Sequence, residues 1–116
     1  MFKATKNKGF TMKFENGYTI SVQFGEGNYC STINEDNEFT TSISAEVAIY
    51  DKDKMMDVFP SYGGNNTEVE GYLDSNEVAQ LIEIVSKSDT SKEIETNIAN
   101  MRYHKHDKMF PGPINL

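Results

Sequence analysis

The sequence predicts an α+β domain: a twisted antiparallel sheet of four or five strands, one C-terminal helix packed on a face, and a short second helix. Apolar and polar residues alternate over residues 10–24 and again over 45–50, which is the period-two pattern of half-buried strands. Over residues 73–87, apolar side chains recur at three- and four-residue spacing instead, as on one face of a helix. With 116 residues, of which 37% are hydrophobic and 25% charged, the chain has the size and composition of one globular domain.

The first two strands are predicted to form a hairpin, because Asn16-Gly17 is a pair typical of tight turns. A two-residue loop would place the apolar rows of the two strands on opposite faces of the sheet. A three-residue loop pairs Phe14 with Tyr18 and places both rows on one face, since directly opposed residues point the same way. We therefore expect a type I turn followed by Gly17 in the left-handed region as a bulge.

A second hairpin is predicted further along the chain. The strand over residues 45–50 is followed by a turn at 51–54 and by a returning strand at 55–59, which ends at Pro60. Residues 31–44 are rich in Asn, Glu, Ser and Thr, and only isolated apolar residues interrupt them. We expect this segment to be mainly loop, with at most an edge strand.

Two helices are predicted after the strands. Asp74 and Glu77 have the spacing of a capping box at the start of the first helix, which runs to residue 87. The second helix is expected from Ser91 to about Arg102, and it has only a thin apolar edge. So narrow a stripe leaves two options open, packing on the body of the domain or on a second chain.

These elements define the domain organisation. We assign residues 1–88 to a single α+β domain and residues 89–116 to a helical and extended C-terminal extension. The stretch from Tyr103 to Leu116 contains the Pro-Gly-Pro sequence and is expected to be extended or frayed.

Charge is unevenly distributed along the chain, whose formal net charge is −7. Residues 1–30 hold four basic and two acidic residues, residues 31–80 hold two and eleven, and residues 81–116 hold five of each. Because such an acidic region repels phosphate backbones, we expect no nucleic-acid partner. The acidic region is either a solvated surface or a surface that fits a host protein with a basic face.

Two further features bear on where the protein acts. No apolar run reaches the length of a membrane-spanning helix, and no secretory signal is visible, so we expect no membrane partner. The single cysteine, Cys30, excludes an internal disulfide and suits a reducing compartment. The expected location is the cytoplasm.

The candidate binding residues lie in two glycine-containing loops and beside them. The first loop offers an amide, an aromatic ring and a thiol in succession, which suits a contact surface and equally suits a plug that folds over the core. Its two glycines do not complete a G-x-G-x-x-G pattern, so a strand exit is favoured over a phosphate-binding loop. The predicted binding residues are Gly25, Gly27, Asn28, Tyr29, Cys30, Tyr62 and Tyr72.

The sequence contains no complete set of catalytic or metal-binding residues. Cys30 has no basic partner in its neighbourhood, so an inert thiol is expected. His104 and His106 are too few and too closely spaced for a specific zinc site. Asp51 and Asp53 begin like a calcium loop, but methionines follow where an oxygen ligand and a glycine are needed. We therefore predict that the chain is not an enzyme and uses neither a metal nor a cofactor.

A resemblance adds to these inferences. The run F-x-N-G-Y-T-I-S-V-Q-F-G over residues 14–25 is followed closely by Gly27-Asn28-Tyr29-Cys30, and later by Gly71-Tyr72. Together these segments resemble a family of small accessory proteins encoded by tailed bacteriophages and prophages. The resemblance covers about residues 7–87, and the chain departs from the pattern after Ser88. It implies a bacteriophage origin and, by analogy, binding to host components, but it carries no catalytic residues.

Three functions follow as hypotheses. The favoured one is a non-enzymatic phage accessory protein that binds and blocks a host factor, such as a defence protein, through an acidic surface. The second is a small-ligand binder, for example of a nucleotide signal, that uses residues 25–30. The third is a virion structural or assembly protein in which the second helix pairs with its counterpart on another chain.

Overall fold

The computed structural model describes residues 1–6, 8–25, 28–35, 40–61 and 63–109. Its elements are β1 (Phe2–Ala4), β2 (Gly9–Lys13), β3 (Tyr18–Gln23), β4 (Thr32–Glu35), β5 (Thr40–Ser42), β6 (Ala45–Asp51), β7 (Lys54–Met55), β8 (Val69–Leu73), α1 (Ser75–Lys87) and α2 (Ser91–Met109). Within the described residues, six strands form one antiparallel sheet in the order β1-β2-β3-β6-β7, β8 pairs with β6, and β4 and β5 form a separate hairpin. The predicted α+β architecture is confirmed, with six strands in the sheet instead of four or five.

The β2–β3 hairpin has the predicted register. Met12 lies opposite Ile20, and the N–H of Phe14 donates to the carbonyl oxygen of Tyr18 at 2.9 Å. The N–H of Gly17 donates to the carbonyl oxygen of Phe14 at 3.0 Å, and Gly17 has a φ of +93°. The turn with Gly17 in the left-handed region is therefore confirmed, and it places both apolar rows on one face.

The core lies between this face of the sheet and the two helices. Pairing of β2, β3 and β6 aligns their apolar rows, because opposed residues share a face. Both helices contribute side chains to the same cluster. Among the described residues, the largest fully buried side chains are Phe59, Ile20, Ile49, Leu73, Leu81, Ile94, Ile98, Val47 and Val85.

The capping box predicted at the start of α1 is present. The N–H of Glu77 donates to Oδ1 of Asp74 at 2.8 Å, and the N–H of Asp74 donates to Oε1 of Glu77 at 3.0 Å. Two of the N–H groups that a helix start leaves unpaired are thereby satisfied. The cap fixes where the helix begins, and Leu81 and Val85 then face the core.

The second helix is longer than the sequence predicts. It ends at Met109 rather than near Arg102, so residues 103–109 are helical and not extended. The rest of the predicted tail, residues 110–116, lies outside the described residues.

The second helix is also more firmly packed than its thin stripe suggests. Ile94 and Ile98 lie one turn apart, and each is at most 1% exposed within the same core as the sheet. Two fully buried isoleucines hold the first turns of α2 against the domain by the hydrophobic effect. The core therefore continues past residue 88, where the sequence placed the end of the domain.

The strand that returns after β6 is shorter than predicted. It covers Lys54–Met55 instead of residues 55–59, because β8 pairs with the rest of this edge of β6. Val58 and Phe59 are buried in the core instead. The sequence pattern did not reveal β8, since Gly71 interrupts its apolar alternation. It also did not reveal β1, which pairs with the outer edge of β2.

Candidate functional site

Residues 28–35 and 40–44, which we call the arm, connect β3 to β6 and contain the β4–β5 hairpin outside the main sheet. The sequence predicted this segment to be mainly loop. At the base of the hairpin, the N–H of Ile43 donates to the carbonyl oxygen of Ser31 at 3.0 Å. The N–H of Ser31 donates to Oγ of Ser44 at 2.7 Å. Polar side chains compete with the backbone hydrogen bonds of helices and sheets. Here they stabilise a small hairpin outside the main sheet.

The beginning of the arm is fixed by hydrogen bonds to the end of β3. The N–H of Asn28 donates to the carbonyl oxygen of Gly25 at 3.2 Å, and its Nδ2 donates to the carbonyl oxygen of Phe24 at 3.1 Å. The Cys30 thiol donates to the same Gly25 carbonyl at 3.5 Å and lies 3.3 Å from Oγ1 of Thr32. Gly25 itself is buried. These contacts of Gly25, Asn28 and Cys30 hold the loop in shape.

Tyr29 joins the arm to β8. Its carbonyl oxygen accepts the N–H of Tyr72 at 2.9 Å, and its N–H donates to Oε2 of Glu46 at 2.9 Å. A Cβ added at Gly71 would lie 2.5 Å from the Cβ of Tyr29, so the two segments approach this closely only because residue 71 is glycine. The contact is made at the irregularity in the β6–β8 pairing, where the register shifts as in a β-bulge.

Tyr72 has a backbone conformation that is rare for a bulky residue. Its φ is +56°, in the left-handed region that non-glycine residues seldom adopt. The Tyr72 side chain is 59% exposed, and that of Tyr29 is 65% exposed. Because the two backbones are hydrogen-bonded to each other, the molecule presents two tyrosines at one place.

Most of the exposed large hydrophobic side chains lie on the arm or on β8, the strand that the arm contacts. Among the described residues, six large hydrophobic side chains are exposed, and of these only Met1 and Phe2 lie elsewhere, at the β1 edge. Isolated exposed apolar residues are normal, whereas a concentration of them marks an interaction site. The other four, which we call the arm surface, are Tyr29, Ile33, Ile43 and Tyr72.

A shallow groove adjoins the arm surface. It has a volume of about 160 Å³ and lies where the arm, the sheet and the start of α1 meet. Its apolar walls give room for a side chain of a partner beside Ile43. The lining residues are Val22, Phe24, Ser42, Ile43, Ser44, Ala45, Leu73 and Ser75.

The two edges of the sheet differ in charge. Asp51 at the end of β6 and Asp53 in the turn to β7 are exposed, as are Lys52 and Lys54 beside them. Glu68 just before β8 and Asp74 just after it are also exposed, so acids outnumber lysines here. The edge that carries the arm surface is therefore negative, and its field favours a positively charged partner. The exposed lysines of the β1–β2 edge are Lys3, Lys6 and Lys13.

The structure brings together two of the predicted binding residues that are distant in sequence, Tyr29 and Tyr72. Two others, Gly27 and Tyr62, lie outside the described residues. Sequence reasoning did not select the two isoleucines of the arm surface. The available signal was that each is an isolated apolar residue in a polar segment that was predicted to be loop.

Metal sites and membrane-spanning helices are absent from the part of the chain that the structure describes. There, no group of three or more His, Cys, Asp or Glu side chains is arranged to hold a metal ion. No helix within the described ranges combines the length and apolar character needed to cross a membrane. Comparison of the chain with protein-family models, with curated proteins and with solved structures gives no match.

Proposed function

We propose that this chain is a non-enzymatic binding protein of bacteriophage origin, which docks its arm surface on a host protein with a basic face and blocks that protein. The observation that carries the proposal is that four of the six exposed large hydrophobic side chains among the described residues lie on the arm or on β8, which the arm contacts. The bacteriophage origin and the host source of the partner rest on the resemblance of residues 7–87. A host defence protein is the partner that this origin favours.

The chemistry of the arm surface suits a protein partner. Tyrosine is enriched among the residues that dominate binding energy, because it offers a large apolar area, a hydroxyl group and few rotatable bonds. The backbones of Tyr29 and Tyr72 are hydrogen-bonded to each other, so binding does not have to order the segments that carry the two rings. The neighbouring exposed acids, among them Glu68 and Asp74, steer the surface toward a basic face.

The described contacts give less support to the other two hypotheses. A ligand held by residues 25–30 would need free polar groups there, but those of Gly25 and Asn28 bond within the loop. Pairing of α2 with a second chain was suggested by its thin apolar stripe, but Ile94 and Ile98 are buried in the chain's own core.

The test begins by identifying partners and then measures which surface they use. Affinity purification from bacterial host cells with the tagged chain, read by mass spectrometry, supplies candidate partners. Each one is purified, and its affinity is measured for the wild type, for Tyr29→Ser and for Phe2→Ser. Phe2 is the matched control, because it is 74% exposed but lies on the opposite edge of the sheet.

The expected result separates the two variants. Tyr29→Ser should lower the affinity at least about tenfold, and Phe2→Ser should change it by less than about twofold. Raising the salt concentration from low to physiological values should weaken binding, because steering by exposed acids is screened. Equal affinities of both variants, or binding that is insensitive to salt, would contradict the proposal. A copurified small molecule that raises the Tm with its concentration would support the ligand hypothesis instead.

A further inference from the structure

The side chain of Asn16 connects the β2–β3 turn to the end of α1. Its Nδ2 donates to the carbonyl oxygens of Val85 at 2.7 Å and Ser88 at 2.8 Å, and its Oδ1 accepts the N–H of Tyr18 at 3.1 Å. The last carbonyl groups of a helix have no partner within the helix. A residue 69 positions from Val85 in sequence therefore caps the end of α1.

Residues 84–91, which we call the α1–α2 corner, depend on the same turn. Ser88 is only 3% exposed, and its Oγ donates to the carbonyl oxygen of Ile84 at 2.6 Å. The hydroxyl of Tyr18 lies 3.0 Å from Oγ of Ser91, the first residue of α2. The hairpin turn thus holds the point at which the chain passes from one helix to the other.

Asn16 belongs to the only Asn-Gly pair in the sequence. In such a pair the glycine nitrogen, which no Cβ hinders, can attack the asparagine Cγ, close a five-membered succinimide ring and release ammonia. Water then opens the ring and leaves aspartate or isoaspartate. In the folded chain the N–H of Gly17 is bonded to the Phe14 carbonyl, and the Asn16 amide is bonded to the end of α1. The reaction therefore requires the turn to open.

We propose that Asn16 is a deamidation site, protected while the α1–α2 corner is closed, whose conversion makes opening of the corner irreversible. The product carboxylate has no N–H to donate. It places a negative charge against the carbonyl oxygens of Val85 and Ser88, at the negative end of the α1 dipole. Isoaspartate, in addition, adds one carbon to the backbone of residue 16, just before Gly17, and destroys the register of the turn. Either product prevents the corner from closing again.

The first experiment follows the modification in the wild-type chain. The purified protein is incubated in mildly alkaline buffer, with and without enough urea to unfold it, and peptide mapping measures aspartate and isoaspartate at residue 16. Conversion should be at least about tenfold faster in the unfolded chain, because only an open turn can react. Asn97, which precedes a β-branched residue, serves as the internal control and should react far more slowly. Equal rates at residue 16 with and without urea would overturn the proposal.

The second experiment compares Asn16→Asp with Asn16→Ala in urea unfolding. Both variants lose the bonds to α1, but Asp keeps an acceptor for the Tyr18 N–H and adds a charge. Because the added carboxylate is repelled by the helix carbonyl oxygens, Asn16→Asp should have the lower midpoint of the two. An equal or higher midpoint for Asn16→Asp would refute the irreversible step. If neither variant folds, wild-type chains converted at residue 16 are separated by ion exchange and returned to buffer without urea. Failure to regain the wild-type urea midpoint supports the irreversible step, and full recovery refutes it.

Discussion

The two ends of β3 each carry a loop, and the two loops use the same residue types in opposite ways. At the start of β3, the side chain of Asn16 bonds to the end of α1, and that of Tyr18 bonds to the first residue of α2 and is only 8% exposed. After β3, Asn28 bonds within its own loop, and the Tyr29 side chain is 65% exposed. The first loop supports the fold, whereas the second one presents a surface.

The difference lies in which atoms make the contacts. In the first loop, side-chain atoms of Asn16 reach the rest of the molecule, so a substitution there costs stability. In the second loop, the backbone N–H and carbonyl group of Tyr29 make the contacts with Glu46 and Tyr72. The Tyr29 side chain can then change without loss of the loop's position. Stability and binding should therefore be separable within the segment from Asn16 to Tyr29, which contains β3. This agrees with the usual placement of binding residues on loops of a rigid scaffold.

The largest effect on the free energy of unfolding is expected in α2, whose first residue is bonded to Tyr18 beside the first loop. Replacing Ile98 by alanine removes a side chain that is 1% exposed, so the free energy of unfolding should fall by about 2–4 kcal/mol. Ile33→Ala is the control, because Ile33 is 66% exposed and its change should stay within about 0.5 kcal/mol. Urea unfolding measures both values. Similar small losses in the two variants would mean that α2 is not part of the core.

A second test isolates the backbone conformation of the first loop. An added Cβ would meet nothing within 4 Å at either Gly17 or Gly63, but only Gly17 has a positive φ, of +93°. Gly17→Val should therefore lower the free energy of unfolding by about 1–3 kcal/mol through backbone strain alone. Gly63→Val should leave it within about 0.5 kcal/mol of the wild type in the same urea titration. If Gly17→Val proves neutral, the left-handed turn is not what fixes the hairpin register.

The sequence predicts those features of each loop that depend on contacts between neighbouring residues. The turn at Gly17 was predicted because the alternation on both sides of it can be satisfied by one register only. The role of Asn16 as a cap for α1 was not predicted, since no pattern links it to a helix end so far along the chain. Local geometry can be derived from neighbouring residues, and long-range hydrogen bonds cannot.

The second loop shows the same limit at the candidate site. Tyr29 and Tyr72 were each selected from the sequence as aromatic residues beside glycines, but their proximity depends on β8. That strand was missed because Gly71 breaks its pattern, and the reason for the glycine is the close approach of Tyr29. Gly71, which hides β8 in the sequence, is therefore the residue that allows the arm to pack against that strand.

A substitution of Tyr72 is expected to weaken binding while it leaves the stability unchanged or slightly higher. Asparagine tolerates the left-handed conformation better than tyrosine does, so Tyr72→Asn should leave the free energy of unfolding unchanged or raise it by up to about 1 kcal/mol. The same variant should lose at least about tenfold in affinity for a partner that uses the arm surface. Urea unfolding and a titration with the purified partner provide the two values. A variant that is stable and binds normally would remove Tyr72 from the proposed surface.

The smallest effect is expected at Cys30. Its thiol donates to the buried Gly25 carbonyl and lies near Thr32, so it acts within the loop, and a serine hydroxyl can replace it there. Cys30→Ser should therefore change the free energy of unfolding by less than about 0.5 kcal/mol and leave the affinity for the partner unaltered. Cys30→Val separates the hydrogen bond from the size of the side chain, and it should cost no more than about 1 kcal/mol, because the Asn28 N–H still donates to Gly25. Complete loss of binding in the serine variant, with the fold intact, would show that thiol chemistry, and not loop shape, is what the second loop contributes.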